Sequence, residues 1–345
     1  MRYSRIKNLP GEAGYYHAIC RTVGKAFLFE SDEEKARLLT WLDKAVDFCG
    51  VELQAWCLMS NHVHLLVRVP PRQEVSDAEV HRRMQRLYLP KRYKEILKQW
   101  EDWRRIDGDN RRVDAAMARL RARMYDISWF MKTFKQAVAQ DYNDRHDYSG
   151  SMWGGGRFKS VYLQGSLDVQ LSVAAYIHLN PVRAGIVESA EGYRWSSWGE
   201  ACKGAGRARA GLLSIYNGCL PKGKPMDWSG VKAQLAAIQA LAKAKTDGLC
   251  ADEVSAALDQ PMAEASSKTC RKLPLPKIGM LLAEKAPVFT GGPLLGDSGF
   301  IRCFFKQRSC AFTAVRQHQR SAPVVIVGEG TICTLADRRF GQSRS

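Results

Sequence analysis

Two imidazoles two residues apart, His62 and His64, stand inside the apolar run Cys57-Leu-Met-Ser-Asn-His-Val-His-Leu-Leu-Val67. Such a run reads as a strand, whose side chains alternate between faces, so both imidazoles project from one face and Val63 from the other. That is half of a metal site. Farther along, in Tyr176-Ile-His-Leu-Asn180-Pro-Val-Arg-Ala-Gly185, a helix puts Tyr176 and Asn180 on one face, one turn apart. If that face covers the two histidines, two imidazoles, an amide oxygen and a phenol surround one point. The set suits metal-assisted attack on a phosphate. His62, His64 and Asn180 would hold a divalent ion with room for water and phosphate oxygens, and Tyr176 would be the nucleophile. A free tyrosine has a pKa of about 10, so the cation would have to help activate it.

Other residues compete for these roles. His17 and His178 are further imidazoles, but His178 is at i+2 from Tyr176 and points off the shared face. Tyr162 is a rival nucleophile, although it falls in a strand and has no ligand at i+4. Arg21, Arg157, Lys159 and Arg183 are the expected phosphate contacts, which would make binding to a polyanion salt-dependent. Trp153, Trp195 and Trp198 could stack unpaired bases or anchor the core.

The elements that must position these groups are legible in order. Gly14 to Val23, aromatic and β-branched, reads as a first strand. Ser31-Asp-Glu-Glu34 is a capping-box signature ahead of Ala36, Leu38, Leu39, Leu42 and Val46, marking an amphipathic helix that stops near Gly50. Val51 to Met59 and His62 to Val69 follow as strands around a tight Ser60-Asn61 connection. Residues 70 to about 123 form a charged, helix-prone insertion broken at Pro90 and at Asp107-Gly-Asp-Asn110. Its stretch 81–125 holds 14 Lys/Arg against 6 Asp/Glu, a basic face that could meet DNA. Tyr125 to Asp144 resumes a helical period, Arg157 to Gln164 is a fourth strand, and a helix runs from Ser166 or Leu167 to Asn180, limited by Pro181. The sum is α+β: a ferredoxin-like β-α-β-β-α-β core with an added helix carrying the nucleophile, the helical insertion, and a mostly helical C-terminal extension. Residues 1–200 are expected to form the domain that carries the site and 201–345 an extension of uncertain role.

Composition narrows the partners. The 345 residues are 46% hydrophobic, enough for a real core, and carry a formal charge of +17 with pI near 9.5. That balance favours nucleic acid over a membrane. The ten cysteines lack any C-x-x-C pair and read as reduced, mostly buried thiols. With no apolar leader and no run of the roughly 18 apolar residues a membrane span needs, a cytoplasmic location is expected.

Taken in order, Cys57 to Val67, Gly154-Gly-Gly-Arg-Phe-Lys-Ser160, Tyr176 to Val187 and Tyr193-Arg-Trp-Ser-Ser197 resemble the landmarks of the REP-associated tyrosine transposases. These are IS200-like Y1 transposases of the HUH endonuclease superfamily. The resemblance implies that His62 and His64 are the HUH pair, Tyr176 the single nucleophile and Asn180 the third metal ligand. It implies cleavage and rejoining of single-stranded, hairpin-forming DNA through a 5′-phosphotyrosine, with Mg²⁺ or Mn²⁺ and no nucleotide cofactor, by a monomer or homodimer. Phe289-Thr-Gly-Gly-Pro-Leu-Leu-Gly296 and Ala336-Asp-Arg-Arg339 are similar to tail segments of longer relatives.

Other H-x-H enzymes fit less well. An amidohydrolase barrel needs repeated βα units after the motif, and a metallo-β-lactamase-like site needs an Asp-His where Leu66-Val67 stand. Relaxases and replication initiators commonly use a third histidine and sometimes two tyrosines. The rival from another class is a non-catalytic hairpin-binding protein or repressor derived from a transposase.

Overall fold

The computed structural model describes residues 5–155, 158–219, 226–246, 287–290, 292, 294–307, 324–325 and 332–335. Strand β1 (Gly14–Arg21) leads to α1 (Asp32–Cys49), then β2 (Glu52–Leu58) and β3 (His62–Val69). Helix α1 starts where Ser31 accepts from the Glu34 amide at 3.1 Å and ends at Gly50, whose φ of 64° is the left-handed cap glycine adopts readily. Only half of the expected capping box forms. The Glu34 carboxylate turns instead to Arg145 (2.5 and 2.8 Å) and His146 (2.9 Å), tying α1 to α5 (Ile127–His146).

The insertion is three helices: α2 (Asp77–Leu87), α3 (Pro90–Asp107) and α4 (Arg111–Ala122). They break where the sequence places the breaks, at Pro90 and at Gly108 (φ 72°). Much of their basic face is already paired: Arg82 with Asp47 and Glu79, Arg83 with Glu79, Arg105 with Asp102, Arg112 with Asp107, and Arg121 with Asp77.

After α5 come β4 (Lys159–Leu163), α6 (Leu167–His178), a single turn α7 (Asn180–Arg183) and α8 (Ser197–Cys202). Strands β2, β3, β1 and β4 lie in that order, every neighbouring pair antiparallel. This is the ferredoxin-like arrangement the sequence implies. The extension supplies α9 (Gly206–Cys219), α10 (Trp228–Thr246), α11 (Pro287–Thr290) and α12 (Ser298–Gln307). It also supplies three strands the sequence reading did not anticipate. These are β5 (Leu294–Asp297), parallel to β4, then β6 (Val324–Val325) and β7 (Ile332–Leu335), which extend the sheet to seven strands.

Register divides the sheet into two faces. Opposed residues in a ladder share a face, so His17, Ile19 and Arg21 of β1 lie with Leu66, His64 and His62 of β3, and with Val161 and Lys159 of β4. The other face carries Tyr16, Ala18, Cys20, Val63, Leu65 and Tyr162, all buried. Tyr162 therefore lies on the far side of the sheet from the histidines, among Tyr16, Phe300 and Phe304.

The Tyr193-Arg-Trp-Ser-Ser197 segment seals the β2 edge. The Tyr193 hydroxyl donates to the Leu58 carbonyl at 2.6 Å, and the Leu58 amide donates to the Trp195 carbonyl at 2.9 Å. The Ser197 hydroxyl accepts from the Trp56 amide and joins His178 Nε2 at 2.8 Å. Among the described residues no helix is long and apolar enough to cross a membrane.

Candidate active site

Helix α6 lies over the histidine face. Its Tyr176 ring stands edge-on to the rings of His17 and His64, with centroids 5.7 and 5.8 Å away, and the His62 and His64 centroids are 4.9 Å apart. The structure thus brings together the strand pair and the helix tyrosine that the sequence placed 112 residues apart. Phe289 of α11 stacks on the Tyr176 ring at 4.7 Å, and the tyrosine is 5% exposed. Arg183 lies over the same ring, its guanidinium carbon 5.0 Å from the centroid. Burial raises the Tyr176 pKa, and the charges of Arg183 and Arg21 oppose that rise.

Hydrogen bonding settles which imidazole nitrogens carry protons. The Asn61 Nδ2 donates to the Lys25 carbonyl at 3.2 Å, which identifies the other end of the amide as oxygen, and that oxygen meets His62 Nδ1 at 2.6 Å. An amide oxygen only accepts, so His62 carries its proton on Nδ1 and keeps a lone pair on Nε2. Burial, reinforced by the Arg21 charge, lowers the His62 pKa to about 4, so the ring is neutral near pH 7.

His64, 1% exposed, is also held neutral by burial, with the His17, His62 and Arg21 charges adding to the effect. Its Nδ1 lies 2.9 Å from His17 Nε2, and His17 Nδ1 lies 3.0 Å from the Phe289 carbonyl. His17 was a candidate ligand on sequence. Here both of its nitrogens are taken by protein atoms, one of them on the proposed ligand itself.

Asn180 is built by the proline after it. Pro181 has no N–H, so the Ile177 carbonyl loses its helical donor. The Asn180 Nδ2 replaces it, donating to the Tyr176 carbonyl at 2.8 Å and the Ile177 carbonyl at 3.4 Å. With the nitrogen turned back onto the helix end, Oδ1 is the acceptor left over. His178 is fully buried, bonded to Ser197 and stacked on Trp198, away from the tyrosine face as its spacing implied.

Arg21 and Lys159 are exposed on the histidine face, and Arg183 is exposed beyond the tyrosine. Burial of the Lys159 stem and the nearby Arg21 lower the lysine's pKa. Arg157, the remaining expected phosphate contact, lies outside the described residues. The three tryptophans are core anchors. Trp153 donates to the Lys135 carbonyl at 2.9 Å, Trp195 to Asp32 at 2.8 Å, and Trp198 is buried beside Trp228.

Among the described residues no group of three or more His, Cys, Asp or Glu is arranged to hold a metal ion. A donor set of two imidazoles and an amide oxygen is a different class of site. The residues present fit it in chemistry, with an Nε2 lone pair on His62, a second neutral imidazole on His64 and an Asn180 Oδ1 left over by the helix-end hydrogen bonds. Sequence reasoning missed the contacts that Asn61 makes with His62, Phe289 with Tyr176 and His17 with His64. Asn61 was beside the motif all along, whereas the other two depend on pairings that only the fold reveals.

Residues 12–105 match the family model described as Transposase IS200 like, a span that includes His17, His62 and His64 and ends before Tyr176. A solved structure of a REP-associated tyrosine transposase bound to a REP hairpin is similar at 14% identity and a TM-score of 0.33, covering 66% of this chain and 94% of that one. No curated protein matches the chain.

Proposed function

We propose that this chain, with an IS200-like transposase segment at residues 12–105, is a metal-dependent single-stranded DNA endonuclease and transposase that cleaves and rejoins hairpin-forming DNA. The observation that carries the reading is the meeting of Tyr176 with the His62–His64 pair on one sheet face rimmed by Arg21, Lys159 and Arg183.

The chemistry is a transesterification. The Tyr176 oxygen attacks phosphorus, the bond from phosphorus to the 3′ oxygen breaks, the upstream fragment leaves with a 3′ hydroxyl, and the downstream strand stays joined to the tyrosine through its 5′ phosphate. The phenol gives up its proton, and the departing 3′ oxygen takes one up. Because one ester is exchanged for another, reversal of the same step rejoins strands without a nucleotide cofactor. His62, His64 and Asn180 would hold a Mg²⁺ or Mn²⁺ ion, which when bound supplies Lewis-acid polarisation of the scissile phosphate. Arg21 and Lys159 neutralise the incoming backbone, and Arg183 stabilises the phenolate as it forms.

The test is a denaturing gel after incubation with labelled single-stranded hairpins from the genomic neighbourhood of the coding sequence and Mg²⁺ or Mn²⁺. A protein–DNA adduct lost with EDTA, with Tyr176→Phe and with His64→Ala supports the reading. Hairpin binding with no adduct in either ion sinks it in favour of a non-catalytic DNA-binding protein.

A further inference from the structure

The histidine face holds three imidazoles, and a two-imidazole ligand set leaves the third unexplained. His17 is fully buried in the central strand, and a buried polar ring there costs stability unless it is bonded. Both of its nitrogens are bonded, and the two partners together dictate a direction. The Phe289 carbonyl can only accept, so His17 donates to it through Nδ1. A neutral ring carries one proton, so His17 Nε2 is an acceptor, and the hydrogen bond at 2.9 Å makes His64 Nδ1 the donor. Both rings are buried and, among the described residues, neither is hydrogen-bonded to a carboxylate, so a charge on the pair would be uncompensated.

We propose that His17 is a positioning residue that locks His64 in the Nδ1–H tautomer, so that His64 presents a lone pair on Nε2, and that the Phe289 carbonyl sets the direction of this relay. The inference rests on the reading of His64 as a metal ligand. It adds a second layer that aims the ligand, and it draws that layer from the C-terminal extension. His62 reaches the same tautomer through Asn61, so the two ligands are fixed by separate devices. Groups in such a second layer typically change metal affinity by about 10- to 100-fold when removed.

The experiment uses the full-length chain. A long-range ¹H–¹⁵N spectrum of the metal-free protein reports each histidine's tautomer, with His64 assigned by its loss in His64→Gln. Mn²⁺ binding is followed in parallel by the EPR signal of the free ion. The expected result is a wild-type His64 protonated on Nδ1. His17→Leu, which can neither donate nor accept, should mix the His64 tautomers and weaken Mn²⁺ binding by about tenfold or more. His17→Gln can both donate and accept, and should restore most of each.

A wild-type His64 protonated on Nε2 overturns the proposal, as does a His17→Leu protein whose His64 tautomer and Mn²⁺ affinity are unchanged. If His17→Leu does not fold, the wild-type spectrum and the Gln variant still decide. The expected tautomers together with Mn²⁺ binding that is indifferent to His64→Gln would leave the relay standing and remove the ligand assignment beneath it.

Discussion

Arg21 stands directly opposite His62 across the β1–β3 ladder, on the face that holds His17 and His64, with its side chain exposed. It is therefore an exposed cation on the histidine face, placed to meet a backbone phosphate. Each phosphate neutralised on a single strand contributes about −0.7 to the slope of log affinity against log salt. Arg21→Gln should flatten that slope by about 0.7 for hairpin binding, read by fluorescence anisotropy across a KCl series. An unchanged slope removes Arg21 from the interface.

Asn180 offers two ends with separable jobs. Asn180→Asp keeps an oxygen but loses the donor to the Tyr176 and Ile177 carbonyls, and Asn180→Ala loses both. Both variants should lower stability in urea by about 1 kcal/mol, the usual worth of such a bond. Only the alanine variant should also lose Mn²⁺ affinity. Equal Mn²⁺ binding by all three proteins would reduce Asn180 to a helix cap.

His178 gives the fold an acid sensitivity on the side of the helix turned away from Tyr176. Burial lowers its pKa from 6.5 to about 3, so the folded chain holds it neutral while the unfolded chain takes up a proton below about 6.5. The stability this group contributes is intact above that pH and is lost as the pH falls from there towards about 3. The slope approaches about 1.4 kcal/mol per pH unit. In urea titrations at pH 7 and pH 5, His178→Gln should lose less stability between the two than the native chain does; equal losses would contradict the assignment.

Gly199 of α8 is a packing requirement. A Cβ there would sit 2.1 Å from the Tyr193 carbonyl oxygen and 3.2 Å from that of Glu191, both backbone atoms that cannot swing aside. Gly199→Ala should cost about 1–3 kcal/mol, measured as a lowered urea midpoint with an unchanged m-value. A neutral result would mean that the segment sealing β2 can shift without loss.

The four-strand core was legible because its signals are local. Ser31, Gly50, Pro90, Gly108 and Pro181 each stop or start an element by their own backbone chemistry, and the His62–His64 spacing fixes a common face wherever the strand lies. The four-residue spacing put Tyr176 and Asn180 on one helix face, but that this face covers the histidines was a condition the spacing alone could not meet. What stayed hidden depends on register and on distant chain. His17 sits beside His64 only because β1 pairs with β3 in one particular alignment. The strands of the extension are short, and Leu294–Asp297 carries no alternation that would mark it. The Phe289 carbonyl leaves no trace in sequence at all, since every residue has one.

The bond from His17 to the Phe289 carbonyl spans 272 residues. Translation proceeds at about 5–20 residues per second, so on the order of 10 seconds to a minute separates the synthesis of the two partners. Strands β1 to β4 and the helix bearing Tyr176 are all made in that interval, and the β1–β3, β1–β4 and β2–β3 ladders need no residue beyond position 163. During it the His17 ring has no carbonyl to direct its proton, and the Tyr176 ring has no Phe289 against it. The phenol and the histidine pair are thus all synthesised well before the residue whose carbonyl and ring complete their surroundings. Orientation of the site arrives from the far end of the polypeptide, after most of the molecule has been made.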